Sequence, residues 1–485
     1  MMRLAGFSIA LALPALAVTA PANLSVPRID PSESILSEYV PQAAPDPDPP
    51  PYTLLRYNER YDYLADPRNR TDFFDPIKYI SLQADDPQSY LNLSGELRER
   101  YENFHNVGFG VGAGPHNPSY LLQRVILGAD LHASQRLRFF VQAISGVQFG
   151  YRATAAPVNE DPLDLQQGFV DYIFGNPEPE GPRLTARAGR FEMTYGSGRF
   201  VATRAAPNIP LKFDGAQFIA GSGSARLYAF LARPVKEDRN SFDQDNNAQT
   251  FWGAYAVSPV GQTTVDVYYL GFRDKEARYA AGTGTELRQT IGLRLSGTHE
   301  GWSYDWEPVV QFGRFAGRDI LAWTLATDTG YTFSAAPWRP RFGLKVDVAS
   351  GDAGHPGGHF GAFNPLFFKA GYFNDASLIR PTNIVDFHPS LQFEPWKSFT
   401  ATVASGVLWR YSAGDGVYGP SGKLFLPRGG STNYLGTTGE AAFQWKANRH
   451  VAYTSSYVHF FADRYVKAAG GGDVDFVGAW VTFTL

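Results

Sequence analysis

The sequence predicts an all-β chain that folds as a single closed antiparallel transmembrane β-barrel of about 18 strands, and three observations carry that prediction. Extended runs alternate in polarity: in the stretch 341–348, Phe342, Leu344, Val346 and Val348 fall on one face and Arg341, Lys345 and Asp347 on the other. Val477, Ala479, Val481, Phe483 and Leu485 keep an apolar row up to the last residue, as a strand that must pair with the first one would. Connections alternate between short turns and long loops, the arrangement expected of short periplasmic turns and long extracellular loops.

Composition agrees. Aromatic residues make up 15% of 485 residues, charged residues only 19%, and 49 are Gly, which suits a large β-protein with interfacial aromatic girdles. A net charge of −4 offers no field for nucleic acid. With no cysteine, disulfide scaffolds, thiolate metal sites and thiol nucleophiles are excluded.

Residues 1–22 read as a signal peptide. Met1-Met2-Arg3 opens a short apolar core over 4–18, and Ala15-Leu16-Ala17 or Ala20-Pro21-Ala22 supplies the cleavage site. Residues 23–51 are Pro-rich, without an apolar period, and are expected to be disordered. Residues 52–89 mix Tyr57, Tyr61, Phe73 and Phe74 with Asp66-Pro67 and Asp75-Pro76 turn formers, and are expected to pack as a periplasmic or lumen-entering segment.

The barrel is expected over 90–485. Its runs are approximately 90–104, 119–132, 136–151, 164–174, 183–192, 213–221, 224–233, 249–258 and 262–273, then 287–299, 302–315, 319–331, 339–350, 383–393, 398–411, 434–446, 450–463 and 474–485. Each has the length a tilted strand needs to cross a bilayer. The connection at Arg318 is short where a long loop is expected.

The two phases of each run define two faces. Rows such as Leu121, Val125, Leu127 and Leu131, or Phe443 and Trp445, point to lipid. The other phase carries Arg98, Arg100, Arg124, Arg138, Arg187, Arg226, Arg288, Arg294, Arg341, Lys345 and Asp347. An arginine at the bilayer midplane costs about 2–4 kcal/mol, so a dozen such errors would exceed a fold's stability, and this phase must face a watery lumen. Glu99 breaks the phase and belongs near a rim. These charges can solvate a lumen and pair with one another. They can also form a track for an anionic solute, since guanidinium groups pair bidentately with carboxylates and interspersed acids keep binding weak.

Two stretches carry a resemblance. One runs Gly189-Arg190-Phe191-Glu192-Met193-Thr194-Tyr195-Gly196-Ser197-Gly198-Arg199-Phe200, through Arg204 to Phe213-Asp214-Gly215. The other is Ser350-Gly351-Asp352 followed by Phe363-Asn364-Pro365-Leu366-Phe367, with support from Gly95-Glu96-Leu97-Arg98-Glu99-Arg100-Tyr101. From about Tyr57 onward the chain resembles the alginate export family of outer-membrane barrels. The resemblance implies an 18-stranded barrel exporting an anionic exopolysaccharide through an arginine-rich conduit partly closed by loops. It places Arg98, Arg100, Arg190, Arg199, Arg204, Asp214 and Asp352 on that path. Arg199, Arg204 and Asp214 would equally serve to pin a long loop by ion pairs.

Other motifs point nowhere firm. His355-Pro356-Gly357-Gly358-His359 cannot form the helix that would align two imidazoles on a metal. The stretch 243–247 begins like a calcium loop but has Ala248 and Ala254 where Gly and Glu belong. The Gly-rich stretch 108–114 opens no helix, and no nucleophile elbow occurs. The expected function is therefore a bacterial outer-membrane channel passing anionic, alginate-like polysaccharide outward. No enzyme activity, cofactor or metal is expected; outer-membrane lipid and periplasmic export components would be its partners. The alternatives are a diffusion or uptake porin for small anions or oligosaccharides and, remotely, a barrel-embedded hydrolase.

Overall fold

The computed structural model describes residues 50–112, 115–151, 156–175, 183–355 and 357–485; the expected signal peptide and almost all of the Pro-rich segment lie outside them. Among these residues the chain forms a closed antiparallel barrel of 18 strands. The first nine are β1 (Tyr90–His105), β2 (Ser119–His132), β3 (Leu137–Gly150), β4 (Asp161–Gly175), β5 (Arg183–Phe191), β6 (Phe213–Ser222), β7 (Ala225–Lys236), β8 (Gln249–Val260) and β9 (Thr263–Tyr279). The second nine are β10 (Gly282–His299), β11 (Trp302–Phe315), β12 (Arg318–Thr332), β13 (Arg341–Ala349), β14 (Ile384–Phe393), β15 (Phe399–Ala404 with Val407–Trp409), β16 (Tyr434–Lys446), β17 (Val451–Ala462) and β18 (Val474–Thr484). Closure is direct: β1 pairs with β18 from Glu96↔Thr484 to His105↔Asp475.

One hairpin differs most from the sequence reading. The hairpin β9–β10 extends to Tyr279 and Gly282, well past the expected ends at 273 and 287. Tyr279 gives this extension an inner face, stacking edge-on against Phe315 and Phe360 and donating to Glu286. The tight connection before Arg318 is a true hairpin turn, with Ala316 and Gly317 at φ 47° and 85° as a primed turn requires.

Side-chain exposure follows the two phases. Leu127, Phe139, Val141, Ile291, Leu293 and Phe443 are exposed on the outside, and Trp302, Trp306, Trp445 and Tyr453 cluster near periplasmic strand ends as an aromatic belt. Glu99 accepts a hydrogen bond from Gln123 at 2.6 Å and lies opposite Val481, which lies opposite Tyr453, so its carboxylate sits at belt level.

The interior is filled by chain. The connection 192–212 and much of the connection 350–383 fold into the barrel, where Phe191, Phe213, Phe251 and Phe367 pack against one another. From the periplasmic side the segment 52–79 enters the mouth as short helical turns, and Tyr57 packs edge-on against Phe140 and Phe169 of the wall.

Candidate functional site: an arginine-lined lumen

Strand alternation sets the wall. In β1 and β2, Arg98, Arg100 and Arg124 project inward because Leu97, Tyr101 and Leu121, in the opposite phase, face out. Glu96 and Glu102 share that inner face: Arg124 lies 2.7 Å from Glu96, and Arg100 lies 2.5 Å from Glu102. Arg98 makes no hydrogen bond to a carboxylate. Its Nη1 donates to the Ala205 carbonyl at 2.7 Å and its Nη2 to the Pro207 carbonyl at 2.9 Å, while its buried Nε has no partner. Arg124 and Arg100 join it on the Ala205 and Ala206 carbonyls at 2.9 and 3.2 Å. Three guanidinium groups thus hold the descending limb of the loop 192–212 by neutral backbone oxygens.

The ascending limb reaches the opposite wall. Arg199 lies 2.7 Å from Asp305 and 3.0 Å from Glu307 on β11, and Arg294 of β10 bonds Asp305 and Asp266. The tip of this loop is zipped to the second inward connection. Ala202 N–H donates to the Phe367 carbonyl, Phe367 N–H to the Phe200 carbonyl and Lys369 N–H to the Gly198 carbonyl, at 2.8–2.9 Å. Val201 and Phe367 form a parallel bridge. Arg204, at φ 54°, donates to the Leu366 and Phe368 carbonyls and lies over both Phe367 and Phe368 rings. The two loops make a septum across the lumen.

Below the septum is a periplasmic vestibule of about 180 Å³ lined by Arg138, Arg183, Arg187, Arg226 and Tyr228 of the wall, with Arg60 from the entering segment. Asp171 holds Arg187 at 2.8 Å, and Asp130 holds Arg138 at 2.6 Å. Arg187 also lies 4.1 Å over the Tyr57 ring, and Arg138 donates to the Tyr57 carbonyl. Above the septum an extracellular cavity of about 630 Å³ is lined by Arg204, Arg278, Arg380, Phe368 and Lys423 among others, together with Asp274 and Glu276.

The remaining residues fall as follows. Arg288 is fully buried against Glu286 and Gln311; Arg341 bonds Ser303 and Asp328; Lys345 and Asp347 face in from β13 opposite His388 and Asp386 of β14. Asp352 receives Arg318 in a two-point pair at 2.9 and 3.0 Å and fixes the root of the second inward loop. Arg190 and Asp214 are corrections. The β5–β6 ladder runs unbroken from Arg183 to Phe191, so Arg190, three residues from inward Arg187 and next to fully buried Phe191, lies on the outer face. At the extracellular edge it pairs with Asp214 at 2.8 Å, lies 3.6 Å from buried Asp164 and donates to the Asp243 carbonyl at 2.9 Å.

Sequence reasoning gave no place on the path to Tyr57, Asp171, Arg183 or Lys212. Asp171 was readable, since it shares the inward phase of β4 with Phe169. Near the stretch 243–247, Asp161, Asp164 and Asp243 come together, with the Lys212 ammonium 2.9 Å from Asp164 and 2.8 Å from Asp243. At the periplasmic mouth, burial pushes the Lys78 ammonium down to about 7, aided by the Arg56 charge, while its Nζ donates to the Leu93 carbonyl.

Comparison with known proteins agrees with this architecture. The model of the alginate export family matches residues 89–479. None of the curated protein sequences matches. Among solved structures, OccK11 (OpdR) of Pseudomonas aeruginosa superposes with a TM-score of 0.52 at 13% identity, covering 81% of this chain and 96% of that one. OpdK of the same organism gives 0.54 at 11% identity over 81% and 99%. A BenF-like porin from Pseudomonas fluorescens Pf-5 gives 0.54 at 10% identity, again over 81% and 99%. At such identity these likenesses show the fold alone. With its lipid-facing belt and charged interior, the barrel is a channel of the bacterial outer membrane, and the chain belongs to the alginate export family.

Proposed function

We propose that the channel passes an anionic, uronate-containing polysaccharide outward, handed over by periplasmic export components. The observation that supports this most is the bonding of Arg98, Arg100 and Arg124 to carbonyls of 205–207. A carboxylate offers a guanidinium group an opposite charge and a bidentate fit that a neutral carbonyl oxygen lacks. A uronate arriving from the vestibule would therefore compete for donors that now hold the septum, and substrate would open its own path. Arg60, Arg138, Arg183, Arg187 and Arg226 in the vestibule would gather the chain, and Arg204 and Arg380 would receive it beyond the septum. The wall supplies position and charge, and no covalent step is required.

The test is conductance of the purified barrel in a planar bilayer. We expect anion selectivity and block by a polyuronate. In Arg98→Gln that block should weaken by roughly tenfold or more, the loss of one charge-assisted hydrogen bond. Cation selectivity with indifference to polyuronate would overturn the reading.

A second reading, uptake of small anions, is favoured by the size of the cavities, which suit one or a few sugar units better than a chain. It expects monomeric acids to permeate while the polymer neither blocks nor enters.

A further inference from the structure

The segment that enters the periplasmic mouth also leaves it, passing beneath the seam between the first and last strands. β18 covers β1 only down to Gly95, whose N–H and carbonyl bond Leu485 at 3.0 and 2.9 Å. The edge of β1 below that point is taken by Ile80–Ser81, paired as Ile80↔Leu91 and Ser81↔Tyr90, and Leu82 N–H continues the ladder to the Ser89 carbonyl. Residues opposite each other share a face, and Leu91 is in phase with lipid-facing Leu97, so Ile80 and Leu82 extend the outer apolar row downward. Both are exposed.

The preceding turn presents a larger group to the same side. Phe74 packs 6.0 Å from Phe483, which belongs to the outward row of β18, and 5.1 Å from His450. Phe73 lies edge-on to Phe74 at 5.1 Å and is itself 88% exposed. The turn is braced: Thr71 and Asp72 N–H groups donate to Asp75, Phe74 N–H donates to Asp72, and Asp72 bonds His450 at 2.7 Å. Phe73, Ile80 and Leu82 are exposed beside the barrel's own lipid-facing rows, so they enlarge one apolar surface and are not scattered single side chains. Phe483 lies opposite Val451, one outward position below the Tyr453–Val481 pair, and Tyr453 stacks on Trp445. The exposed ring therefore continues the lipid belt.

We propose that the turn around Phe73, with Ile80 and Leu82, is a membrane foot: the Phe73 ring inserts among phospholipid acyl chains of the periplasmic leaflet and fixes the plugging segment to the seam. Lipid, and not a protein, is the occupant because the patch is continuous with the barrel's own lipid-facing surface and lies on the outer side of the wall. The inference is independent of what passes through the lumen.

The chain has no cysteine, so Phe73→Cys in the full-length protein gives a single attachment point for an environment-sensitive NBD probe. Leu82→Cys gives a second site, and Arg68→Cys, on a side chain that is 89% exposed, gives an aqueous reference. Heat-modifiable electrophoretic mobility identifies folded barrels. In phosphatidylethanolamine–phosphatidylglycerol vesicles we expect probes at 73 and 82 to emit at shorter wavelength than at 68. Nitroxide lipids with shallow labels should quench them, and aqueous iodide should not. Iodide quenching at 73 equal to that at 68 would overturn the proposal. So would shielding from iodide without quenching by nitroxide lipid, which would mean that protein covers the ring.

Discussion

Arg199, at the tip of a loop that enters the barrel from above, places its Nη1 2.7 Å from Oδ1 of Asp305 on the far wall. The same nitrogen reaches Glu307 at 3.0 Å, and Arg294 approaches Asp305 from the other side. A loop cation, together with Arg294 of the wall, therefore neutralises the acidic pair Asp305 and Glu307 of β11. Arg199→Gln leaves those carboxylates facing each other without it, and the loop loses its ion pairs to the far wall while Arg98, Arg100 and Arg124 still hold its descending limb. The expected result is a folded barrel with raised open probability and a shift toward cation preference, read in single-channel records. An unchanged record would mean that the contact does not hold the loop.

Tyr57 is the corresponding pin on the periplasmic side. Its ring sits under Arg187 and against Phe140 and Phe169, its hydroxyl donates to the Glu192 carbonyl at 2.9 Å, and its carbonyl accepts from Arg138. Tyr57→Ala should cost the docked segment about 3–5 kcal/mol and widen the vestibule. Proteolysis of the segment 52–79 should quicken while the barrel keeps its heat-modifiable mobility.

Docking of the same segment should depend on pH through Lys78. Its ammonium is pushed from the ordinary 10.5 to about 7, so the undocked segment binds more protons than the docked one between those values. Docking therefore strengthens as pH rises through that window, by at most about tenfold per unit, and its cost is fully present below pH 7. Raising the periplasmic-side pH from 7 toward about 9.5 should lower open probability. Lys78→Met, which has no proton to lose, should flatten that dependence.

Gly189 sits at φ 134° within β5, and a Cβ there would collide with the carbonyl oxygen of Gly168 on β4. Gly189→Ala combines that collision with a backbone conformation worth about 1–3 kcal/mol of strain. The variant should show a lower urea midpoint in detergent and a larger fraction of unassembled chain. Gly439, whose Cβ would meet nothing within 4 Å, serves as the contrasting site, and Gly439→Ala should be near neutral.

Much of the wall was legible in the sequence because alternation is local. Phe342, Leu344 and Val346 against Arg341, Lys345 and Asp347 decide a face without knowledge of any other strand. Parity alone would also have put Arg190 opposite to Arg187 and so outside; taking both as lumenal followed a motif where the strand's own period disagreed. The interior was not legible. That Arg98 bonds the Ala205 carbonyl, or that Ile80 fills the edge left by Leu485, depends on where distant segments meet. The tight turn at Ala280 was hidden because Tyr279 and Glu286, whose contact extends the hairpin, lie inside what reads as a polar loop.

The bridge between Val201 and Phe367 joins two loops that root in different quarters of the wall. Neither can swing aside while the three backbone bonds between them persist, so a partial retreat of one drags or tears the other. Current through this pore should then switch between two levels with few intermediate sublevels, and linking the loops by a cysteine pair at these positions should lock it at the lower one.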